Sequence, residues 1–184
     1  MARTKSPRCF APVALAVIVA LAPALAAAQD FPGFTPGQAA KSFKAVDTDG
    51  RPVSFPGDFE RRVVLLDFWA TWCGPCVGEV PGLVAAYSQY HAKGFDVLGI
   101  SLDQAKALEG LLAFEEKTGM PWRQIYDGRD WQSRIARFYG IQAIPDPILV
   151  DGDTGRIIAA GDSLRGSSLE PSLAKAMKAK GLLP

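Results

Sequence analysis

The sequence predicts an α/β fold, with a mixed central sheet and helices on both of its faces. After residue 60, apolar runs typical of buried strands alternate with stretches of helical periodicity, in the order strand, helix, strand, helix, helix, two strands and helix. This order is typical of a sheet that combines parallel and antiparallel strands. The 184 residues are 48 % hydrophobic, which is enough for one core, and the part after residue 29 has single-domain length.

The charge balance excludes a dedicated nucleic-acid-binding protein. Lys and Arg number 20 and Asp and Glu number 19, so the net charge of +1 provides no field of one sign to hold a polyanion. Three cysteines are present, Cys9, Cys73 and Cys76, which is too few for a disulfide framework. Each cysteine therefore has to be interpreted from its neighbours.

The first 28 residues are predicted to be a signal peptide. Arg3, Lys5 and Arg8 form a basic start, and an uncharged run from Cys9 to Gln29 follows, with small residues before Gln29. We expect cleavage near Gln29 and export to the periplasm. An uncleaved anchor that faces the periplasm is the alternative, and in that case alone would the protein contact a membrane.

The exported part is predicted to begin with a linker and a β-hairpin. Residues 29–38 are rich in Gly and Pro and are expected to be a linker, and residues 39–184 are expected to form one domain. The hairpin spans Phe43–Phe55 and turns at Asp49-Gly50. Val63–Trp69 is a continuous apolar run, which predicts a strand covered on both faces.

The later elements follow from periodicity and capping residues. Asp103 is expected to cap an extra helix inserted after the second core strand. Trp131 is expected in the core, and Arg165 in a loop before the last helix. The predicted elements are a helix Cys76–Lys93, a strand Val97–Ser101, helices Asp103–Lys117 and Asp130–Tyr139, strands Ile148–Asp151 and Arg156–Ala160, and a helix Leu169–Lys180.

Cys73 and Cys76 are separated by two residues and lie where a buried strand ends and a helix begins. Unpaired N–H groups and the dipole at a helix N-terminus favour a thiolate, so we expect Cys73 to be the nucleophile. Cys76, one turn further along, is placed to attack a mixed disulfide on Cys73 and release the partner. Gly74-Pro75 suits the first helical turn. In an exported protein this pattern predicts redox chemistry.

A structural disulfide and half of a zinc site are the other interpretations of this cysteine pair. A structural zinc site needs four ligands, and after the signal peptide the chain offers Cys73, Cys76 and one histidine, His91. The number of ligands therefore disfavours zinc, and we expect no metal. His91 is expected at the solvated end of its helix.

The segment around the cysteines resembles a known family. Trp69-Ala-Thr-Trp-Cys-Gly-Pro-Cys76 is similar to the active-site signature of thioredoxin-fold proteins. Glu79-Val-Pro81, the run Gly94–Asp103 and Tyr139-Gly-Ile-Gln-Ala-Ile-Pro145 resemble the exported TlpA/ResA-like thiol:disulfide oxidoreductases. The likeness extends from about Gly37 to the C-terminus. It implies a thioredoxin-like fold and dithiol–disulfide exchange at the two cysteines.

The resemblance also implies roles for individual residues. Cys73 is then the attacking cysteine, Cys76 the resolving cysteine, and Pro145 a cis-proline that faces the pair. A cis X-Pro bond holds a turn beside the disulfide, where the backbone of Ile144 would pair with an extended partner chain. The implied substrate-binding residues are Trp72, Gly74, Pro75 and Ile144.

Two acids near the cysteines are candidates for proton transfer. Asp67 lies on a buried strand, where an unpaired carboxylate shifts towards its protonated form, and the resemblance makes it the proton acceptor for Cys76. Glu79, one helical turn after Cys76, matches a glutamate of the TlpA/ResA-like proteins. We expect the two carboxylates to share the proton transfer as a coupled pair. The chain departs from the family at Asp146-Pro147, which puts a carboxylate beside the substrate loop.

These observations predict an exported protein-disulfide oxidoreductase that acts as a reductase. The Gly-Pro pair between the cysteines resembles the reducing thioredoxin motif. The expected partners are disulfide-containing protein clients and a membrane thiol-electron donor, and the family implies work in cytochrome c maturation or oxidase assembly. No cofactor beyond the Cys73–Cys76 disulfide is expected.

A peroxiredoxin-like thiol peroxidase and a copper-binding assembly factor have a similar fold and are the alternatives. A peroxiredoxin would have Thr three residues before the nucleophile and Pro seven before it, where this chain has Ala70 and Leu66. A copper-binding factor would need a wider cysteine spacing and a later histidine, and no His follows His91. Both alternatives are therefore disfavoured.

Overall fold

A five-stranded mixed sheet organises the part of the chain that the computed structural model describes, Met1 and residues 33–184. The predicted signal peptide or anchor lies, apart from Met1, outside the described residues. The strands are β1 Phe43–Val46, β2 Pro52–Phe55, β3 Val63–Trp69, β4 Phe95–Ser101, β5 Arg123–Tyr126, β6 Asp146–Asp151 and β7 Ile157–Ala160. The helices are α1 Gly74–Tyr90, α2 Leu108–Thr118, α3 Arg134–Tyr139 and α4 Leu169–Ala179. Within residues 33–184, no helix has both the length and the apolar character that a membrane span requires.

The central sheet has the strand order β5-β4-β3-β6-β7. β3 pairs in parallel with β4, and β4 in parallel with β5, whereas β6 and β7 run antiparallel. Every residue of β3 is at least partly buried, Asp67 less completely than the other six, which explains the almost unbroken apolar sequence of this strand. The hairpin of β1 and β2 forms a separate two-stranded sheet. The predicted α/β fold with an N-terminal hairpin is confirmed.

Helices cover both faces of the sheet. On one face, Leu65 of β3 lines a cavity together with Leu83 of α1 and Leu169 of α4. On the other face, the ring centroid of Phe68 lies 5.4 Å from that of Tyr139 at the end of α3. Because successive side chains of a strand point to opposite faces of the sheet, Leu65 and Phe68 of β3 pack on opposite sides.

Two predictions after β4 need correction. β5 has no counterpart among the predicted elements, because it has four residues and only its two middle residues are buried. The extra helix α2 is present after β4, but it starts at Leu108 and not at Asp103. The Asp103 carboxylate instead accepts hydrogen bonds from the backbone N–H and the hydroxyl of Thr71. Asp103 therefore fixes the loop that connects β3 to α1.

Gly37 and Gln38, at the end of the predicted linker, form hydrogen bonds with the start of β7. The N–H of Gly37 donates to the carbonyl oxygen of Ile157 at 2.8 Å, and the N–H of Ile157 donates to that of Gln38, also at 2.8 Å. Gly37 and Gln38 thus pair with Ile157 at the start of β7 as a short additional strand would.

Candidate active site

Cys73 and Cys76 lie at the junction of β3 and α1 and form a disulfide bond. Each residue is 4 % exposed. Cys73 is the N-cap of α1, and the backbone N–H of Cys76 donates to the Sγ of Cys73 at 3.2 Å. An N–H group aimed at this sulfur, together with the helix dipole, favours negative charge on Cys73 once the disulfide is reduced. The geometry therefore favours Cys73 as the nucleophile.

The loop before β6 brings Ile144 and Pro145 to the disulfide. The Ile144–Pro145 peptide bond is cis, the geometry that the resemblance implies. The carbonyl oxygen of Ile144 lies 3.7 Å from the Sγ of Cys73. A chain whose sulfur bonds to Cys73 would therefore run close to the backbone of Ile144.

An open groove of about 450 Å³ borders Cys73. Its lining contains the predicted substrate-binding residues Trp72, Gly74, Pro75 and Ile144, together with Trp131, Gln142 and Ala143. Trp72 is 48 % exposed, and its indole N–H donates to the carbonyl oxygen of Leu102 at 3.2 Å. This hydrogen bond fixes the orientation of a large apolar ring beside the nucleophilic sulfur.

Trp131 lies in this groove and not in the core, where the sequence predicts it. It is 38 % exposed, and its ring centroid lies 6.0 Å from that of Trp72. The predicted helix Asp130–Tyr139 is divided, because residues Asp130–Gln132 form a 3-10 turn and α3 starts at Arg134. Polar residues on both sides of Trp131 are the sequence signal for an exposed position.

A second cavity, of about 150 Å³, borders Cys76. Asp67, Glu79 and Pro145 line it, together with apolar residues of β3, α1 and the start of α4. Burial raises the pKa of Asp67 to about 7, and the negative charge of Glu79 adds to the rise. Asp67 is therefore an acid that exchanges its proton near neutral pH, in the cavity that Cys76 borders.

Arg165 is a charged residue of the site that no sequence pattern indicates. It lies just before α4, and its Nε–H donates to Oε1 of Glu79 at 2.8 Å. This hydrogen bond raises the pKa of Arg165. Burial raises the pKa of Asp146, and the charge of Arg165 opposes that rise. Glu79 and Arg165 are 86 residues apart along the chain, so only the folded structure shows that they meet.

All nine predicted site residues thus line either the groove that borders Cys73 or the cavity that borders Cys76. The groove holds Trp72, Cys73, Gly74, Pro75 and Ile144, and the cavity holds Asp67, Cys76, Glu79 and Pro145. No group of three or more His, Cys, Asp and Glu side chains among residues 33–184 is placed to hold a metal ion.

Together with the strand order of the sheet, this placement of a disulfide defines the class of the protein, a thiol:disulfide oxidoreductase of the thioredoxin fold. Comparison with known proteins agrees with this class. Residues 36–159 match the model of the AhpC/TSA family, and the chain belongs to that family.

Individual relatives and a solved structure point the same way. Tryparedoxin from Trypanosoma brucei brucei is 36 % identical over 105 residues, which cover 55 % of this chain and 69 % of tryparedoxin. The thiol-disulfide oxidoreductase ResA from Bacillus thuringiensis subsp. konkukian is 26 % identical over 142 residues, 77 % of this chain and 76 % of ResA. The thioredoxin domain of a thiol-disulfide oxidoreductase from Bacteroides vulgatus superposes with a TM-score of 0.68 at 31 % identity, covering 78 % of this chain and 99 % of that domain. The predicted fold, the family resemblance and the class of enzyme are confirmed.

Proposed function

We propose that this protein is an exported reductase of disulfides in other proteins. The position of Cys73 carries the proposal. Its sulfur accepts the N–H of Cys76 at a helix N-terminus, lies 3.7 Å from the carbonyl oxygen of Ile144 and borders an open groove. An extended client chain in the groove can therefore reach this sulfur and pair with the backbone before the cis-proline.

The reaction is a two-step exchange of disulfides. In the reduced protein the Cys73 thiolate attacks a client disulfide, bonds to one client sulfur and displaces the other as a thiolate. Cys76 then attacks Cys73, the Cys73–Cys76 disulfide forms and the client leaves with both of its sulfurs reduced. Asp67 and Glu79, which line the cavity at Cys76, act as a coupled pair that takes up the proton of the Cys76 thiol.

Client recognition depends on the two exposed indoles of the groove. Trp72 and Trp131 present neighbouring rings, with centroids 6.0 Å apart, beside Cys73. Aromatic surfaces of this kind bind apolar and aromatic side chains, and a pair of them does so more strongly than one. The preferred clients therefore carry a large apolar side chain next to the reactive cysteine.

The proposed location is the periplasm, with residues 1–28 as a cleaved signal peptide. A reductase in an oxidising compartment needs a continuous supply of electrons, which a membrane thiol-electron donor would deliver. The redox group is the Cys73–Cys76 disulfide itself. Suitable clients are proteins whose cysteines must be reduced before they bind a metal or haem, as in cytochrome c maturation or oxidase assembly.

The direction of the reaction is tested by the reduction potential of the Cys73–Cys76 pair. The purified protein is equilibrated with glutathione or dithiothreitol buffers, and tryptophan fluorescence reports the redox state because Trp72 lies beside the disulfide. A potential near that of thioredoxin, about −270 mV, supports a reductase. A potential near that of DsbA, about −120 mV, contradicts it and indicates a protein that introduces disulfides.

Two further assays separate the proposal from its alternatives. Reduction of a disulfide-bonded peptide and reduction of hydrogen peroxide are measured in parallel, with Cys73→Ser as the inactive control. Fast peroxide consumption without peptide reduction would contradict the proposal and favour a thiol peroxidase. Cell fractionation and mass spectrometry of the N-terminus test export: a mature chain that starts near Gln29 supports cleavage, and a full-length chain in the membrane fraction supports an anchor.

A further inference from the structure

The loop before α4 supplies part of the wall of the cavity at Cys76 and a charge that pairs with Glu79. Leu164 and Gly166 line the cavity, and Arg165 lies between them in the chain. The side chains of Arg165 and Glu79, joined by a hydrogen bond of 2.8 Å, are 31 % and 29 % exposed. A charge-assisted hydrogen bond that is partly shielded from water is stronger than an ion pair on the open surface. The contact therefore holds the Glu79 side chain at the edge of the cavity.

Asp67 has no partner of this kind. Among residues 33–184, no hydrogen-bond donor or cation contributes to the pKa of Asp67, which is raised by burial and by the charge of Glu79. Asp67 and Cys76 nevertheless line the same cavity. The two carboxyl groups thus differ in environment, since Glu79 is bound to a cation and Asp67 remains available to gain or lose a proton.

We propose that Arg165 is a positioning residue that assigns the proton-transfer role to Asp67. By pairing with Glu79, Arg165 occupies that carboxylate, so that Asp67 is the group which takes the proton from Cys76. The proposal rests on the proposed reductase function and refines it. Arg165 gives the two coupled carboxylates different roles, with Asp67 alone accepting the proton of Cys76.

The affected step is the second half of the disulfide exchange. While a client is joined to Cys73 by a mixed disulfide, the thiol of Cys76 gives its proton to the carboxylate of Asp67. The Cys76 sulfur then bonds to the Cys73 sulfur, and the bond between Cys73 and the client breaks. The client sulfur leaves with the electron pair as a thiolate and takes a proton from water. The Cys73–Cys76 dithiol is oxidised, and the client disulfide is the oxidant.

Arg165 acts on Asp67 through Glu79, because its guanidinium pairs with the carboxylate whose charge adds to the rise in the pKa of Asp67. The titratable residues that line the cavity with Asp67 are Cys76 and Glu79, both on α1. Arg165 itself pairs with Glu79, lies near enough to Asp146 on β6 for its charge to act on that carboxyl group, and donates from Nη1 to Oδ1 of Asp162 at 3.2 Å. Without the cation, the negative charge of Glu79 is no longer compensated. Asp67 then ionises at a higher pH, and it accepts the proton of Cys76 less often near neutral pH.

The experiment is a single turnover of the reduced full-length protein with oxidised glutathione, followed by stopped-flow tryptophan fluorescence. The first phase depends on the glutathione concentration and reports attack by Cys73. The second phase is independent of that concentration and reports attack by Cys76. For Arg165→Gln we expect the midpoint of the pH profile of the second phase to rise by about one pH unit, which slows this phase about tenfold at pH 6 and little at pH 9. Arg165→Lys keeps the charge and should stay within about twofold of the wild-type rate.

Two variants make the outcome specific. If Arg165 acts through Glu79, the double variant Arg165→Gln/Glu79→Gln has the same pH profile as Glu79→Gln alone. Asp162→Asn removes the exposed partner of Arg165 and should leave the profile unchanged, because Asp162 is 97 % exposed.

The outcomes that overturn the inference are distinct from those that overturn the proposed function. An Arg165→Gln profile that keeps its midpoint, moves to lower pH or slows equally at every pH overturns the role of Arg165. A pH profile of Asp162→Asn that shifts as far as that of Arg165→Gln also overturns the role of Arg165. Such a shift would show that any change in this loop alters the second phase. Absence of the first phase in the wild type overturns the reductase function itself.

Discussion

Replacement of Asp67 by Asn is predicted to stabilise the oxidised protein by an amount that grows with pH. Burial raises the pKa of Asp67 to about 7 from its ordinary value of 3.8, and the charge of Glu79 adds to the rise. The folded chain therefore holds a proton at Asp67 that the unfolded chain has already released. One pKa unit corresponds to about 1.4 kcal/mol, so an ionised Asp67 disfavours the folded state by about 4 kcal/mol.

The pH window of this effect follows from the two pKa values. Below about pH 4 both the folded and the unfolded chain carry the proton, and Asn resembles the neutral acid in size and polarity. As the pH rises from 3.8 to about 7, the wild type loses stability progressively, and above about pH 7 the loss is complete. Since Asn does not ionise, the difference in the free energy of unfolding between variant and wild type rises over the same window.

Guanidinium unfolding of both oxidised proteins at five pH values between 4 and 9 measures this difference. The matched control is Asp153→Asn, because a hydrogen bond from Lys180 lowers the pKa of that exposed carboxyl group. Asp153 therefore stabilises the fold above about pH 4, and its amide should be less stable than the wild type by an amount that is flat from pH 5 to pH 9. An Asp67→Asn difference that changes by less than about 1 kcal/mol across the range would refute the argument.

Three further predictions concern the cysteines, the groove and the packing. Cys76→Ser should trap clients as mixed disulfides on Cys73, because the resolving sulfur is missing; mass spectrometry detects the adducts. Trp131→Ala should raise the KM for a peptide client about fivefold with the reduction potential unchanged, since one of two aromatic surfaces is lost. Gly152→Ala should lower the Tm by about 10 °C in a calorimetric scan, because a Cβ at this position overlaps the carbonyl oxygen of Phe59.

Each of these predictions has a control that separates it from a general effect. If the Cys76→Ser protein carries no adduct after exposure to a client disulfide, the assignment of Cys73 as the nucleophile is contradicted. Phe138→Ala removes an aromatic side chain that is 49 % exposed and lies outside the groove, so an equal rise in KM would remove the special role of Trp131. Gly110→Ala, on α2 with open space around a new Cβ, should not lower the Tm; a fall like that of Gly152→Ala would contradict the clash argument.

Local patterns predict much of this fold. β3 and α1 appear close to their predicted positions because an apolar run and a helical period are properties of consecutive residues. The alternation around an Asp-Gly turn predicts the hairpin in the same way. β5 escapes prediction because its four residues, Arg123–Tyr126, form no apolar run, and its pairing with β4 makes it a strand.

Contacts between distant segments determine the positions of two site residues that the sequence pattern predicts wrongly. Asp103 has the residue type of a helix cap, yet its carboxylate accepts hydrogen bonds from Thr71, 32 residues earlier in the chain. Trp131 has the apolar size of a core residue, yet it lies against Trp72 at the surface. In both cases the local residue type allows two environments, and tertiary packing selects one of them.

The sequence by itself determined where the sulfur chemistry takes place. Two intervening residues at the start of a helix are enough to direct the N–H of Cys76 at the sulfur of Cys73, whatever the rest of the chain does. Only the tertiary structure decided how the proton is handled. The raised pKa of Asp67 results from burial between β3 and α1, and the ion pair of Glu79 with Arg165 joins residues 86 positions apart. Burial and long-range ion pairs depend on how distant elements pack together, and no local pattern encodes that packing.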